Sequence, residues 1–389
     1  MVSLVRFKNT YLILVTSICF YFTSCAQEAD KIQVAASRTE LYRDLIQGKN
    51  IGIIANQTST INNTHLVDSL LSLGLSVQKV FAPEHGFRGK SDAGEVVKDG
   101  IDTATGLPII SLYGKNKKPS AQQLENIDIL IFDIQDVGAR FYTYISTLHY
   151  VMEAAAEANI PVLILDRPNP NGHYIDGPIL ETAHASFVGM HPVPVVYAMT
   201  IGEYGQMING EHWLANGIVC DLTVIPIKNY THDSLYSLPI KPSPNLPNDT
   251  SINLYPSLCF FEGTNVSAGR GTNLQFQIYG SPYLAKNGYS FTPQPNEGAK
   301  YPKYKNERVY GENLSNHKRL TNINLAWLRN AYAQNSSDEF FNSFFTKLAG
   351  TKKLEQQIIQ GVSEKEIKKS WQKGLNSFKK IRGKYLIYR

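Results

Sequence analysis

Phe81-Ala82-Pro83-Glu84-His85-Gly86-Phe87-Arg88-Gly89 ends a strand-like run that begins at Val77 and then turns abruptly polar. Glu, His and Arg fall close together there, and the two glycines let the backbone approach a bound molecule closely. Scaffolds present chemistry on loops of this kind. Glu84 is read as a catalytic acid and His85 as its neighbour. The same grammar recurs outward from this stretch. Ile51–Ala55 is an apolar strand ending at Asn56, and residues 62–74 come next with helical leucine spacing closed by Gly74. Pro108–Leu112 ends at Tyr113, and Asp128–Ile134 ends at Gln135-Asp136. A helix predicted over roughly 138–158 leads to Pro161–Leu165, which ends at Asp166-Arg167.

Apolar strands alternating with helices predict an α/β fold with a parallel sheet covered on both faces. Right-handed crossovers then bring the strand C-termini to one edge, where open α/β sheets bind ligands. Asn56, Glu84, His85, Tyr113, Asp133, Asp136 and Asp166 converge on that edge. Further on, a helix is predicted from Thr200 with Glu203 at the capping-box position, and Leu222–Ile227 is another strand. Pro242–Pro247 is a stiff connector. Residues 261–272 carry Glu262 and Arg270 in a second glycine-rich loop, and the rest mixes aromatic strands with lysine-rich helices around 324–349 and 363–375.

The 389 residues, 43% hydrophobic and 18% charged, are globular in composition. The net charge of +5 gathers near the C-terminus. Without interleaved aromatics it reads as a solvated helix face, with no nucleic-acid partner. Arg6 and Lys8 precede an apolar run from Tyr11 to Phe22, followed by Thr23-Ser24-Cys25. This reads as an export signal over 1–24 of lipoprotein type, with Cys25 lipidated and the membrane touched only through that anchor; a plain secretory signal is the other reading. Residues 25–47 are then a tether. Cys220 and Cys259 either pair or remain two buried thiols, and no Cys/His spacing supports a metal site.

Gly269-Arg270-Gly271 is not a dinucleotide fingerprint, and no phosphate loop, HExxH or GxSxG is present. Carboxylates, arginines and tyrosines remain. Two carboxylates flanking a scissile bond is the glycosidase pattern, and desolvation on the Phe81–Phe87 loop suits an acid. Asp133 reads as a structural carboxylate. Asp136 reads either as a helix cap or as a catalytic group, and Asp166-Arg167 as a local ion pair.

The blocks GIIANQTS (52–59), FAPEHGFRG (81–89), AGE (93–95), LPIISLYG (107–114), DILIFDIQDVGARFYTYISTL (128–148), LDRPNPNG (165–172) and FFEGTNVSAGRGT (260–272) together resemble the DUF1343 family. Its characterised members are exo-β-N-acetylmuramidases of the NamZ type, and the resemblance spans about 48–389. It implies a Rossmann-like domain (48–255), a smaller α+β C-terminal domain (256–389) and an active site in the cleft between them. It also implies release of terminal N-acetylmuramic acid (MurNAc) from the non-reducing end of peptidoglycan fragments, without a cofactor. By that resemblance Glu84 is the general acid, with His85, Asp136 and Glu262 beside it. Asn56, Arg88, Tyr113, Arg140, Tyr142, Asn245, Asn265 and Arg270 are placed around the sugar, with Arg270 or Arg140 facing its lactyl carboxylate. A muropeptide-binding lipoprotein without turnover is the competing reading.

Overall fold

The strands expected from the sequence are present, and the central ones among them are apolar and buried on both sides. In the computed structural model, which describes residues 31–88, 98–286 and 288–388, they are β1 (Ile51–Ala55), β2 (Val77–Ala82), β3 (Pro108–Ser111), β4 (Ile129–Asp133), β5 (Val162–Leu165) and β6 (Leu222–Ile225). They pair in parallel in the order β3-β2-β1-β4-β5-β6. The two-residue strand Gly100–Ile101 adds antiparallel at the β3 edge. This is the doubly wound order, with its switch point between β1 and β4. Alternate residues serve opposite faces: Ile51, Ile53 and Ala55 enter one apolar cluster, while Ile54 enters the other. Gly52 belongs to the seam, since a Cβ there would stand 2.8 Å from Leu130.

Helices α1 (Leu66–Ser72), α2 (Tyr144–Ala158) and α3 (Ile201–Gly210) cover the sheet. Helix α3 starts at the capping box of Thr200 and Glu203. Helix α2 starts later than the sequence suggests. Gly138 takes a left-handed φ of 74°, and residues 138–143 form a loop before the helix begins. That loop proves central to the site.

Beyond β6 come α4 (Asp249–Leu258), β7 (Ile278–Ser281), β8 (Tyr289–Phe291), β9 (Val309–Asn313), α5 (Ala326–Gln334), α6 (Phe344–Ala349), α7 (Lys353–Ile359) and α8 (Glu364–Arg382). The last three strands form an antiparallel sheet in the order β7-β9-β8. Helix α8 buries Ile367, Trp371, Leu375 and Phe378 and leaves Lys365, Lys369, Lys373, Lys379 and Lys380 exposed. The basic run is therefore a solvated helix face. The single helix read near 324–349 is two, α5 and α6, interrupted where Asn335 turns its amide onto Ser337.

The smaller C-terminal part shares its core with the sheet. One cluster runs from Val151 and Tyr197 to Phe260, Phe345 and Trp371. The chain end returns as well: the Tyr388 hydroxyl donates to Asp166 at 2.6 Å, and the Ile387 and Tyr388 amides donate to Glu203.

Two readings need correction. Residues 31–47 are no tether where they are described. Ala35, Ala36, Tyr42 and Ile46 are fully buried against the β1 face, because that face needs an apolar cover. Arg167 does not pair with Asp166. Its guanidinium grips Asp133 through Nε at 2.5 Å and Nη2 at 2.9 Å, and Asp166 instead accepts the Arg167 amide. The segment 1–24, Cys25 and the 93–95 block lie outside the described residues. Cys220 and Cys259 are both free and buried.

Candidate active site

Strand β2 delivers the chain into a tight turn, Pro83 to Gly86, closed by the Gly86 amide donating to the Pro83 carbonyl at 3.0 Å. His85 and Gly86 both take left-handed φ values, 71° and 77°. Glycine does so freely, whereas His85 is held there at a cost of roughly 1–2 kcal/mol. The turn leaves His85 buried and Glu84 half-buried, lining a cavity of about 420 Å³.

The loop before α2 supplies the next wall. Thr143 Oγ1 donates to Glu84 Oε2 at 2.6 Å, and the Tyr113 ring, two residues beyond β3, stands beside the same carboxyl group. Burial, helped by the Glu84 charge, pushes the Tyr113 phenol up, so it keeps its proton. Phe141 and Tyr142 meet Tyr255 edge-on, and Tyr255 meets Phe276, which makes an apolar aromatic wall. The Tyr142 hydroxyl is spent on the Pro242 carbonyl at 2.8 Å.

The C-terminal part closes the cavity with charge. Glu262 meets Arg270 Nε at 3.1 Å, and Arg270 lies over the Phe276 ring, 5.2 Å from its centroid. Lys303 donates to the carbonyls of Phe261, Thr264 and Val266 at 2.7–3.1 Å. Burial pushes the Glu262 carboxyl up, but Arg270 and Lys303 outweigh it and leave it below the ordinary value. Glu262 is therefore an ionised partner of Arg270, placed opposite an aromatic wall. Among the described residues only Nε of Arg270 is hydrogen-bonded, which leaves its terminal nitrogens for a ligand. Asn245 ties the cavity wall to the loop at Gly298, donating to its carbonyl at 2.5 Å.

Glu84, His85, Tyr113, Tyr142, Asn245, Glu262 and Arg270 thus come together around one cavity. Five other expected residues do not line it. Asn56 is fully buried and caps its own turn, accepting from Thr58 and donating to the Tyr144 hydroxyl. Arg88 pairs with Asp102 at 2.8 Å. Arg140 is fully buried and donates to the carbonyls of Pro178, Val193, Leu348 and Ala349, which leaves no fork for a lactyl carboxylate. Asn265 donates to Asn335 and Glu339. Asp136 is buried and accepts from Gly138 and the Tyr197 hydroxyl, and burial pushes its carboxyl up to about 6. It caps a turn and not helix α2, which starts later.

Thr143, Phe187, Tyr255, Tyr301 and Lys303 were not singled out from the sequence, yet they line the cavity. Thr143 stands inside the 128–148 block, seven positions after Asp136. An isolated lysine such as Lys303 carries no pattern that would reveal it. Among the described residues, no group of three or more His, Cys, Asp or Glu is arranged to hold a metal ion.

Comparison with known proteins agrees over both halves of the chain. Residues 51–250 match the family described as exo-beta-N-acetylmuramidase NamZ, N-terminal, and residues 253–388 match its C-terminal counterpart. The peptidoglycan beta-N-acetylmuramidase NamZ of Bacillus subtilis is 39% identical over 379 residues, covering 89% of each chain. Two crystal structures of DUF1343 family proteins from Bacteroides fragilis superpose well. One has a TM-score of 0.86 at 47% identity, covering 92% of this chain and 99% of that one. The other has a TM-score of 0.79 at 28% identity, covering 92% and 100%. Matched through both halves, the chain belongs to the NamZ family of exo-β-N-acetylmuramidases and is a glycoside hydrolase.

Proposed function

We propose that the protein releases terminal MurNAc from the non-reducing end of peptidoglycan fragments such as MurNAc-GlcNAc, with Glu84 as general acid. The observation that carries this reading is the Glu84 carboxyl, half-buried in the cavity, held by Thr143 and with Tyr113 beside it. The Thr143 hydroxyl fixes the direction in which that carboxyl faces the cavity. Glu84 gives a proton to the glycosidic oxygen, the leaving sugar departs as an alcohol, and water adds at the anomeric carbon, releasing a proton to solvent from which the Glu84 carboxylate is reprotonated. Glu262 is engaged by Arg270, so its part is to hold that guanidinium toward the lactyl carboxylate, a group that arginine binds bidentately. The aromatic wall keeps water from the apolar face of the ring.

Replacing Glu84→Gln removes the proton while keeping the shape. Release of MurNAc from MurNAc-GlcNAc should fall by about 10²–10⁴-fold, the usual worth of a positioned acid, with the thermal midpoint unchanged. Undiminished release would remove Glu84 from the role. Binding with no product from the wild type would favour a muropeptide-binding protein instead. We also propose export to the cell envelope with a lipid anchor on Cys25, from the signal-like sequence of residues 1–25. In a Gram-negative host, Cys25→Ala should move the protein from the membrane to the soluble fraction. An unchanged membrane fraction would discard the anchor.

A further inference from the structure

We infer that Tyr301 is the stacking platform for the sugar on the leaving-group side of the cut, an inference that rests on the proposed MurNAc-releasing activity. An enzyme that removes a terminal sugar must hold that sugar inside and let the remainder of the saccharide leave through the mouth. Within the cavity, Phe141, Tyr142, Tyr255 and Phe276 are each less than a tenth exposed and already packed against one another. Tyr301 is the opposite case: it lines the same cavity and is 90% exposed.

A lone exposed aromatic means little by itself. The backbone around this one is held on both sides. Before it, Asn245 grips the Gly298 carbonyl, and Ala299 is buried. After it, Pro302 packs so closely on Gly271 that a Cβ there would stand 2.7 Å away, and Lys303 is spent on three carbonyls. The ring is therefore presented to solvent from an immobile base. An aromatic face carries negative quadrupole density, which suits the polarised C–H face of a pyranose. It also covers that apolar face from water without demanding one hydroxyl pattern. Such a platform favours a second sugar over a small leaving group and tolerates variation further along the saccharide.

The test compares KM and kcat on MurNAc-GlcNAc with inhibition by free MurNAc, which occupies only the inner sugar position. For Tyr301→Ala, KM should rise about tenfold with kcat nearly unchanged and MurNAc inhibition intact, as expected when ground state and transition state lose the same contact. Tyr301→Phe should retain the wild-type KM, because the face and not the hydroxyl makes the contact. An unchanged KM in Tyr301→Ala overturns the inference, as does an equal weakening of MurNAc inhibition, which would put Tyr301 on the terminal sugar. If the wild type itself releases no MurNAc, the activity reading falls first. If it does and Tyr301→Ala matches it, only this inference falls.

Discussion

Glu84 and Asp133 stand at the same edge of one sheet, and their fates are opposite. Asp133 is the last residue of β4, fully buried, with both oxygens taken by Arg167. Asp166, after β5, is likewise enclosed, accepting from Tyr388, Thr200 and Gly202, and burial pushes its carboxyl up to about 7. Glu84 comes just after β2 and meets the Thr143 hydroxyl and an open cavity. The difference lies in the cover over each strand end. Arg167 and the chain's own N- and C-terminal segments close over β4 and β5, whereas the C-terminal part leaves a space in front of β2. A carboxyl held by a hydroxyl, with room for a ligand beside it, is available for chemistry, whereas one gripped and enclosed holds the sheet together.

The contrast can be broken at three points. Glu84→Gln should give the largest effect, a loss of about 10²–10⁴-fold in MurNAc release with an unchanged melting curve. If stability falls instead, Glu84 belongs with the gripped carboxylates. Arg167→Ala should do the reverse. It leaves Asp133 buried without its cation, at a cost of about 3–5 kcal/mol in chemical denaturation, while any molecules that remain folded keep their turnover. A variant as stable as the wild type would show that the pair is expendable.

The smallest and sharpest test is pH. Burial raises the Asp136 carboxyl from 3.8 to about 6 in the folded chain. Below 3.8 both states are protonated and the stabilisation is complete. It is lost as pH climbs through about 6, because the folded state holds its proton longer. Asp136→Asn should remove that slope, so its stability relative to wild type should rise between pH 4 and 6 by about 2–3 kcal/mol. A constant difference across that window would show that Asp136 is not desolvated.

Much of this fold was legible because β1, β4 and β5 are short, apolar and buried on both faces, so pattern alone marked them. The Thr200–Glu203 capping box was legible for the same local reason. At the site, Glu84, Tyr113, Glu262 and Arg270 could be named because each sits in a glycine-flanked block or at a strand end. Asn56, Arg88, Asp136, Arg140 and Asn265 stand in the same kinds of block, yet their side chains turn into the protein. Spacing reports that a residue lies near the edge, not which way its side chain points. Arg140 is the clearest case. Its partners are carbonyls at positions 178, 193, 348 and 349, far apart in the chain and carrying no side-chain signature.

The sequence by itself determined the parallel sheet, the edge on which its strand ends gather and, through its motif blocks, the glycoside hydrolase family, because periodicity and contiguous motifs are local properties. Only the tertiary structure decided that Glu84, alone among the strand-end acids, opens on the cavity, that Arg270 and not Arg140 has nitrogens to offer, and that Lys303 and Tyr301 join the site. Those outcomes depend on which distant carbonyl, cation or ring reaches a side chain first, and packing sets that.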